Sequence, residues 1–449
     1  MKIGVIGAGW YGSHIGLSLK KQGHDVTIFE KNSDIFTQIS GNFGIRLHVG
    51  PHYPRSKKTR ESCRRDFQLF IDTYPQLVVN HEYAIYALGE LDSDKNPSKV
   101  NFEQFKAVCE ESDSAKQINV KEAGYKDLIA AWDIYEPSMA LGDGLRNIFK
   151  RYLSDAGVQT LCNFNVQVLD QSDSLMSITS DKGQTHEGFD YIINASSYQS
   201  FVDVKNELPF DINVVYQPCL AMMYEDTHTT TRPFSFIIMD GWFPCIMPYC
   251  NKEEDLIDEP RDNRKYILTH GKWTIMGSFN TSKEAQNLLS RLNDNFIADN
   301  IKPNCEAEIN RFWPDFEKRF RYIGWKGEVL AKIKTEKEFR SAVTFEKDRL
   351  VHIIPGKVSN IFDASREVVA IINQQNVSTK NGYQYVTGGV LDDALQEITE
   401  VPDRLAQSTC NLQTYKQFFP VTPANINSFW SPNAGDNGGS VSDQNTFKP

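Results

Sequence analysis

The opening residues, MKIGVIGAGWYG, run a short apolar strand straight into Gly7, Gly9 and Gly12 and on into a helix. At that spacing each glycine has a mechanical reason: Gly7 permits the tight strand-to-helix turn, Gly9 lets the backbone approach a pyrophosphate, and Gly12 lets the helix pack on the strand. The helix N-terminus then aims unpaired N–H groups and the positive end of its dipole at the same point. Gly16 carries the close packing one turn further, and the next strand, HDVTIF, closes on Glu30, whose carboxylate can accept both hydroxyls of a ribose. Trp10 and Tyr11 inside the turn and Lys31 after Glu30 are candidate contacts of the same ligand. Strand, glycine turn, helix and acidic strand end together predict an α/β dinucleotide-binding domain.

A chain of 449 residues exceeds what one core usually fills, so two domains sharing an interface are expected. Hydrophobic residues make up 40% and charged residues 24%, the balance of a soluble globular protein, with no apolar run long enough to cross a bilayer. The first strand starts at Met1, which leaves no room for a leader, and a cytoplasmic location without a membrane partner is the expectation. A net charge of −10 argues against a nucleic-acid partner. The eight cysteines are scattered without CxxC pairs or a histidine array, as reduced thiols rather than metal ligands, and no metal site is expected.

Beyond the opening unit comes a glycine-punctuated loop, ISGNFGIRLHVGPHYPRS, of the kind that carries function more often than scaffold. Arg46, Arg55, Lys57, Lys58, Arg60, Arg64 and Arg65 cluster in and after it. Two readings stand: the solvated face of a helix whose apolar side carries Cys63, Phe67, Phe70, Ile71 and Tyr74, or, for its first members, the lining of an anionic site. Residues 80–145 combine a strand-like HEYAIYAL, a polar surface insertion LDSDKNPSK and a helix from Ser138 through Leu153. VQTLCNFNVQVLD reads as a strand pair, and GFDYIINASS as a buried strand ending in the small residues Ala195 and Ser196. Long aromatic-rich β segments between 212 and 280 predict a second domain on a largely antiparallel sheet. Helices follow at SKEAQNLLSRLNDNFIAD and at AEINRFWPDFEKRF, the latter interrupted by Pro314. A last strand, RLVHIIPG, leads through Gly356 into KVSNIFDASREVVAII, a second helix entrance that favours an anion.

Candidate cofactor segments thus recur at the start, near residues 160–200 and near 350–370, whereas nicotinamide dehydrogenases usually finish their cofactor domain in one stretch. That interleaving favours FAD. The expected fold is α/β: a Rossmann-type FAD-binding domain (1–60, 145–205 and 340–378) interleaved with an α+β substrate domain (61–144 and 206–339) built on a largely antiparallel sheet. Residues 379–449 are expected as a C-terminal extension, with a mobile tail from about 430 where the composition turns polar and glycine-rich.

GAGWYG with Glu30, the INASS strand end, the β-rich middle and IPGKVSNIFDA together resemble, over about residues 1–375, the FAD-dependent oxidoreductases of the D-amino-acid oxidase and glycine oxidase superfamily. The resemblance implies that Gly7, Gly9, Gly12 and Glu30 hold the ADP half of FAD and that the Val166 backbone meets the adenine. Ala195 and Ser196 match the small strand end, with Ser196 where the family often carries Thr-Gly. Gly356, Lys357, Val358 and Ser359 match the segment that approaches the isoalloxazine ring, where N–H groups and a helix dipole favour negative charge on the reduced flavin. The loop from Gly41 to Arg55 then lies beside the flavin, with Arg46 among its contacts and His48 as the residue to examine for covalent attachment. Its NFGIRLHVGPHYPR string is also similar to a glycine- and histidine-rich stretch of UDP-galactopyranose mutases.

Hydride removal from carbon asks chiefly for orientation and desolvation. A substrate carboxylate is best met by an arginine fork, for which Arg340, resembling the family's late arginine, is the first candidate and Arg46 the second. Tyr249 and Tyr53 are candidates to bond the substrate or close the pocket, and His48 and His52 to manage a proton near neutral pH. Against these stand plainer roles: salt bridges for the arginines, core packing for the tyrosines, turn structure for the histidines. The leading expectation is oxidation of a C–N bond in an amino acid or related amine, with a carboxylate-bearing small molecule as partner. Oxidation of a 2-hydroxy acid, a flavin-dependent mutase reaction and a non-redox binding protein of the type of the GDP dissociation inhibitors are the alternatives; the oligomeric state stays open.

Overall fold

A computed structural model describes residues 1–43, 46–172, 174–201, 212–228, 232–250, 265–334 and 339–399. β1 (Lys2–Ile6), α1 (Trp10–Lys21) and β2 (Asp25–Phe29) form the opening βαβ unit. β1 lies inside an eight-stranded sheet, paired in parallel with β2 on one side and with Tyr191–Asn194 on the other. Leu350–Ile354 and Gln159–Leu161 continue the parallel part outward. Val343–Lys347, Tyr383–Val386 and Val377–Lys380 then extend one edge in antiparallel fashion. One face packs on α1, Gly142–Asp155 and Ile361–Ile372. The other packs on a three-stranded antiparallel sheet within 166–189 through Phe29, Phe164, Ile178 and Phe189. Cover on both faces accounts for the continuous apolar run of β1, as in parallel sheets generally.

The second sheet also has eight strands, in the order Phe320–Ile333, Val214–Asp226, Lys265–His270, Pro244–Pro248, Ser235–Met239, Ala84–Gly89, Leu128–Asp133 and Lys116–Ile118. Its neighbours pair antiparallel except Ser235–Met239 with Ala84–Gly89. Alternation along Val214–Asp226 turns Leu220, Met222 and Tyr224 to one core, with helices Ser282–Leu289 and Lys302–Phe312, and Ala221 and Met223 to another, with Leu141, Met247 and Tyr249. The fold is therefore α/β, a Rossmann-type domain joined to a largely antiparallel sheet, as the sequence predicts.

Several local expectations need correction. Ser138–Met139 is a short strand and the helix starts at Gly142, because the Ser138 and Met139 backbones are engaged by Val79 and Val78. Gln159–Leu161 and Val166–Ser172 are not a pair: the first ends the parallel sheet and the second starts the three-stranded one. Helix Lys57–Thr73 contributes Phe70 to the Rossmann-side core. The hairpin Val377–Val386 is hydrogen-bonded into the cofactor sheet, so chain beyond residue 379 belongs to that layer. The tail expected from about 430 lies outside the described residues. Among the described residues no helix is long and apolar enough to cross a membrane.

Candidate active site

The glycine turn is built as a cradle. Gly7 has φ +98°, and a Cβ there would fall 2.8 Å from the carbonyl oxygen of Ala195, while one on Gly12 would fall 1.9 Å from that of Gly7. Only glycine fits either place. A cleft opens beside the turn, lined by Gly7, Gly9, Glu30, Lys31, Ser40, Val166, Ala195 and Ser196. Glu30 is buried, its two oxygens accepting the N–H groups of Ala8 at 2.9 Å and Asn32 at 3.0 Å. The N–H of Trp10 donates to Ser40 Oγ at 3.2 Å, but its indole packs among Phe36, Phe70, Tyr74 and Phe149. Trp10 thus meets the cleft with backbone alone.

Tyr11 reaches the late cofactor segment instead. Its hydroxyl donates to the carbonyl of Lys357 at 2.6 Å and accepts the N–H of Gly356 at 3.0 Å. Gly356 is pressed against the 340–342 backbone, where a Cβ would stand 2.4 Å from the Arg340 carbonyl oxygen. Asn360 fixes the same segment by accepting the Lys357 N–H at 2.7 Å and donating to Ser62 Oγ at 2.8 Å.

Next to this segment the flavin-side loop brings Arg46, His48, His52 and Tyr53 together. Arg46 is 7% exposed; it donates to the Tyr86 hydroxyl at 3.1 Å, lies 3.3 Å from a ring nitrogen of His52 and stands 3.7 Å from Glu136. The rings of His48 and His52 stack at 4.8 Å, and Lys357 Nζ sits 4.5 Å from the centre of the Tyr53 ring. Burial, and after it the charge of Arg46, lowers the Lys357 ammonium to about 7. Burial and the surrounding cations Arg46, Lys357 and Arg340 hold both histidines neutral, well below their ordinary value. Burial pushes the Glu136 carboxyl up, against the opposing pull of Arg46 and Tyr86.

The structure thus brings Arg46, His48, His52, Tyr53 and Lys357 to one place. Arg340 contributes charge there, while its N–H donates to Thr59 Oγ1 at 3.2 Å. Tyr249 stands in a separate group, accepting from Lys326 Nζ at 2.6 Å, with Asn42 Nδ2 3.4 Å from Glu328 beside it. Of the downstream cations, Arg55 pairs with Asp240, Lys58 with Asp393, Arg60 and Arg64 with Glu111, and Arg65 with Asp363. Sequence reasoning missed Tyr86, Glu136, Ser40 and Lys326. Glu136, in DIYEPSM, carries no local mark, since its partners come from other elements. Ser40 lies in the short helix Ile39–Asn42 at the start of that loop, where a small hydroxyl near the glycine turn was the available signal.

The cradle fits a pyrophosphate, and the other end offers buried polar atoms without a hydrogen-bond partner among the described residues: Tyr53 OH and Ser359 Oγ. Both features suit FAD. The fold is that of glycine oxidase from Geobacillus kaustophilus, at a TM-score of 0.58 and 13% identity over 84% of this chain and 96% of that one. The NAD(P)-binding Rossmann-like domain family matches residues 5–65. The FAD-dependent monooxygenase kojA of Aspergillus flavus is 48% identical over 423 residues, 92% of this chain and 97% of kojA. The chain belongs to the family of FAD-dependent oxidoreductases that includes kojA. The FAD-dependent monooxygenase FPY4 of Fusarium mangiferae is a more distant relative, 25% identical over 83% of this chain and 92% of its own. As a member of these flavoenzymes the protein uses FAD and acts on a small molecule.

Proposed function

We propose that this flavoenzyme oxidises a small carboxylate-bearing substrate at a C–N bond, in an amino acid or related amine, with Arg46 and Lys357 holding the carboxylate. One observation carries this reading: Arg46 and Lys357 lie in one largely buried cluster whose carboxylate, Glu136, already accepts from Tyr86 and from the Val49 N–H. Lys357 contacts the Tyr53 ring and forms no ion pair among the described residues. Two cations against one engaged acid leave room for an anion. Arg46 is the first choice for the fork because its guanidinium is fixed by Tyr86 and His52.

Around FAD, the turn at Gly7, Gly9 and Gly12 with Ser40 would take the pyrophosphate, Glu30 and Lys31 the ribose, and Val166, Ala195 and Ser196 the adenine side. Gly356, Lys357, Val358 and Ser359 would line the ring. Bound FAD supplies the hydride acceptor. The chain's own contribution is to hold the carboxylate, exclude water and keep His48 and His52 neutral beside the reacting carbon.

Anaerobic mixing of the FAD-loaded protein with a panel of amino acids, N-methyl amines and 2-hydroxy acids tests the reading through flavin bleaching. An amino acid or amine is expected to bleach it; bleaching by hydroxy acids alone overturns the C–N assignment. A second reading, oxygen insertion, is favoured by kojA and FPY4, both of which are named monooxygenases. Heavy-isotope oxygen appearing in the product rather than in peroxide or water would select it.

A further inference from the structure

Glu136 is the buried acid closest to the two loop histidines. It enters the site from the connection between Leu128–Asp133 and Ser138–Met139 and is 1% exposed. Oε2 accepts the Val49 N–H at 3.2 Å, and Oε1 accepts the Tyr86 hydroxyl. Oε1 also lies 3.3 Å from Nδ1 of His48, close enough for an ion pair though not aligned as a hydrogen bond. With Nδ1 turned to the carboxylate, Nε2 is the ring nitrogen left for a ligand.

We propose that His48 and Glu136 form a proton relay armed by the substrate: Nε2 of His48 takes the proton from the substrate's ammonium or hydroxyl group, and Glu136 steadies the resulting imidazolium at Nδ1. The relay rests on the anionic-substrate reading above. In this step the substrate's N–H or O–H bond breaks and an Nε2–H bond forms. The electron pair stays on the substrate's nitrogen or oxygen, where it assists loss of hydride from the adjacent carbon.

The charges around His48 explain why the substrate arms it. Arg46, His52 and Tyr53 act on it from its own loop, Glu136 from the connection after Leu128–Asp133, and Lys357 and Arg340 from the late cofactor segment. Burial and the three cations oppose a proton on the imidazole. A carboxylate between Arg46 and Lys357 offsets that positive field, so the imidazole gains basicity as the substrate seats. Glu136 then has a cation to stabilise. A substrate analogue without the carboxylate leaves the base unarmed.

Calorimetric titration of the FAD-loaded protein with benzoate at about pH 5.5, where Lys357 already carries its proton, in buffers of different ionisation heat, counts the protons taken up per benzoate bound. The wild type is expected to take up between about half a proton and one, His48→Asn close to none, and Glu136→Gln less than the wild type. Flavin content shows that each variant is folded, and His48→Asn alone decides the matter if Glu136→Gln does not fold. Uptake that persists in His48→Asn assigns the proton elsewhere and overturns the relay. Wild-type binding without uptake does the same, and unchanged uptake in Glu136→Gln removes Glu136 from it. Benzoate that does not bind at all overturns the anion site, and the relay with it.

Discussion

Tyr11 ties the first helix to Lys357, its hydroxyl donating to the Lys357 carbonyl at 2.6 Å while accepting the Gly356 N–H at 3.0 Å. One phenol thereby fixes the segment proposed to face the flavin ring to the turn proposed to hold the pyrophosphate. Tyr11→Phe leaves an amide and a carbonyl without this partner, and is expected to lower stability by about 1–3 kcal/mol. Thermal unfolding with and without added FAD checks it. The loss should be larger in the FAD-loaded protein, where both ends of the cofactor depend on the same link.

Gly9→Val is expected to give a largely flavin-free protein. A Cβ at Gly9 would fall 2.8 Å from Ser40 Oγ, which accepts the Trp10 N–H, and the remaining methyl groups would enter the cleft. The ratio of flavin to protein after purification measures this, and a normal ratio would remove the cradle role of Gly9.

How much of this was legible in the sequence follows the range of each interaction. The turn at Gly7, Gly9 and Gly12 and the strand end at Glu30 were readable because their geometry is local, set by φ angles and by spacing. The late segment from Gly356 was readable for the same reason, as a strand running into a helix. Glu136 and Tyr86 were not, since each is an ordinary residue on or beside a strand until the second sheet carries it to Arg46. Trp10 is the opposite case. Its position in the turn suggested a ligand contact, but four aromatic neighbours bury its ring in the core. The choice between Arg340 and Arg46 was not readable, because field and fork cannot be told apart from sequence.

The part of the stability that Glu367 supplies should be lost as pH rises from about 5 to 8. Glu367 is 6% exposed, accepts the Val390 N–H at 2.6 Å and is pushed up to about 8, chiefly by burial. A carboxyl whose folded value lies above its unfolded one binds more protons folded than unfolded. Its favourable contribution is therefore complete below the unfolded value and is lost as pH climbs through the folded one. Across that range the wild type should lose melting temperature relative to Glu367→Gln; an equal pH dependence in both would exclude Glu367 as a source.

Benzoate affinity should also weaken with rising pH. Lys357, lowered to about 7, must carry its proton to attract an anion, so the apparent Kd is expected to grow above that value until the bound complex itself titrates. Flavin difference spectra at several pH values follow this, and Lys357→Met should remove the part of the dependence that lies above about 7.

The most direct measurement of the central claim is benzoate titration of the flavin spectrum in the wild type, Arg46→Lys and Lys357→Met. Arg46→Lys keeps charge but loses the fork, and Lys357→Met keeps length but loses charge. Each is expected to weaken benzoate by roughly 10- to 100-fold, the size of a lost charge-assisted contact, with flavin content near wild type. Unchanged benzoate affinity in both variants would contradict an anion site built from Arg46 and Lys357.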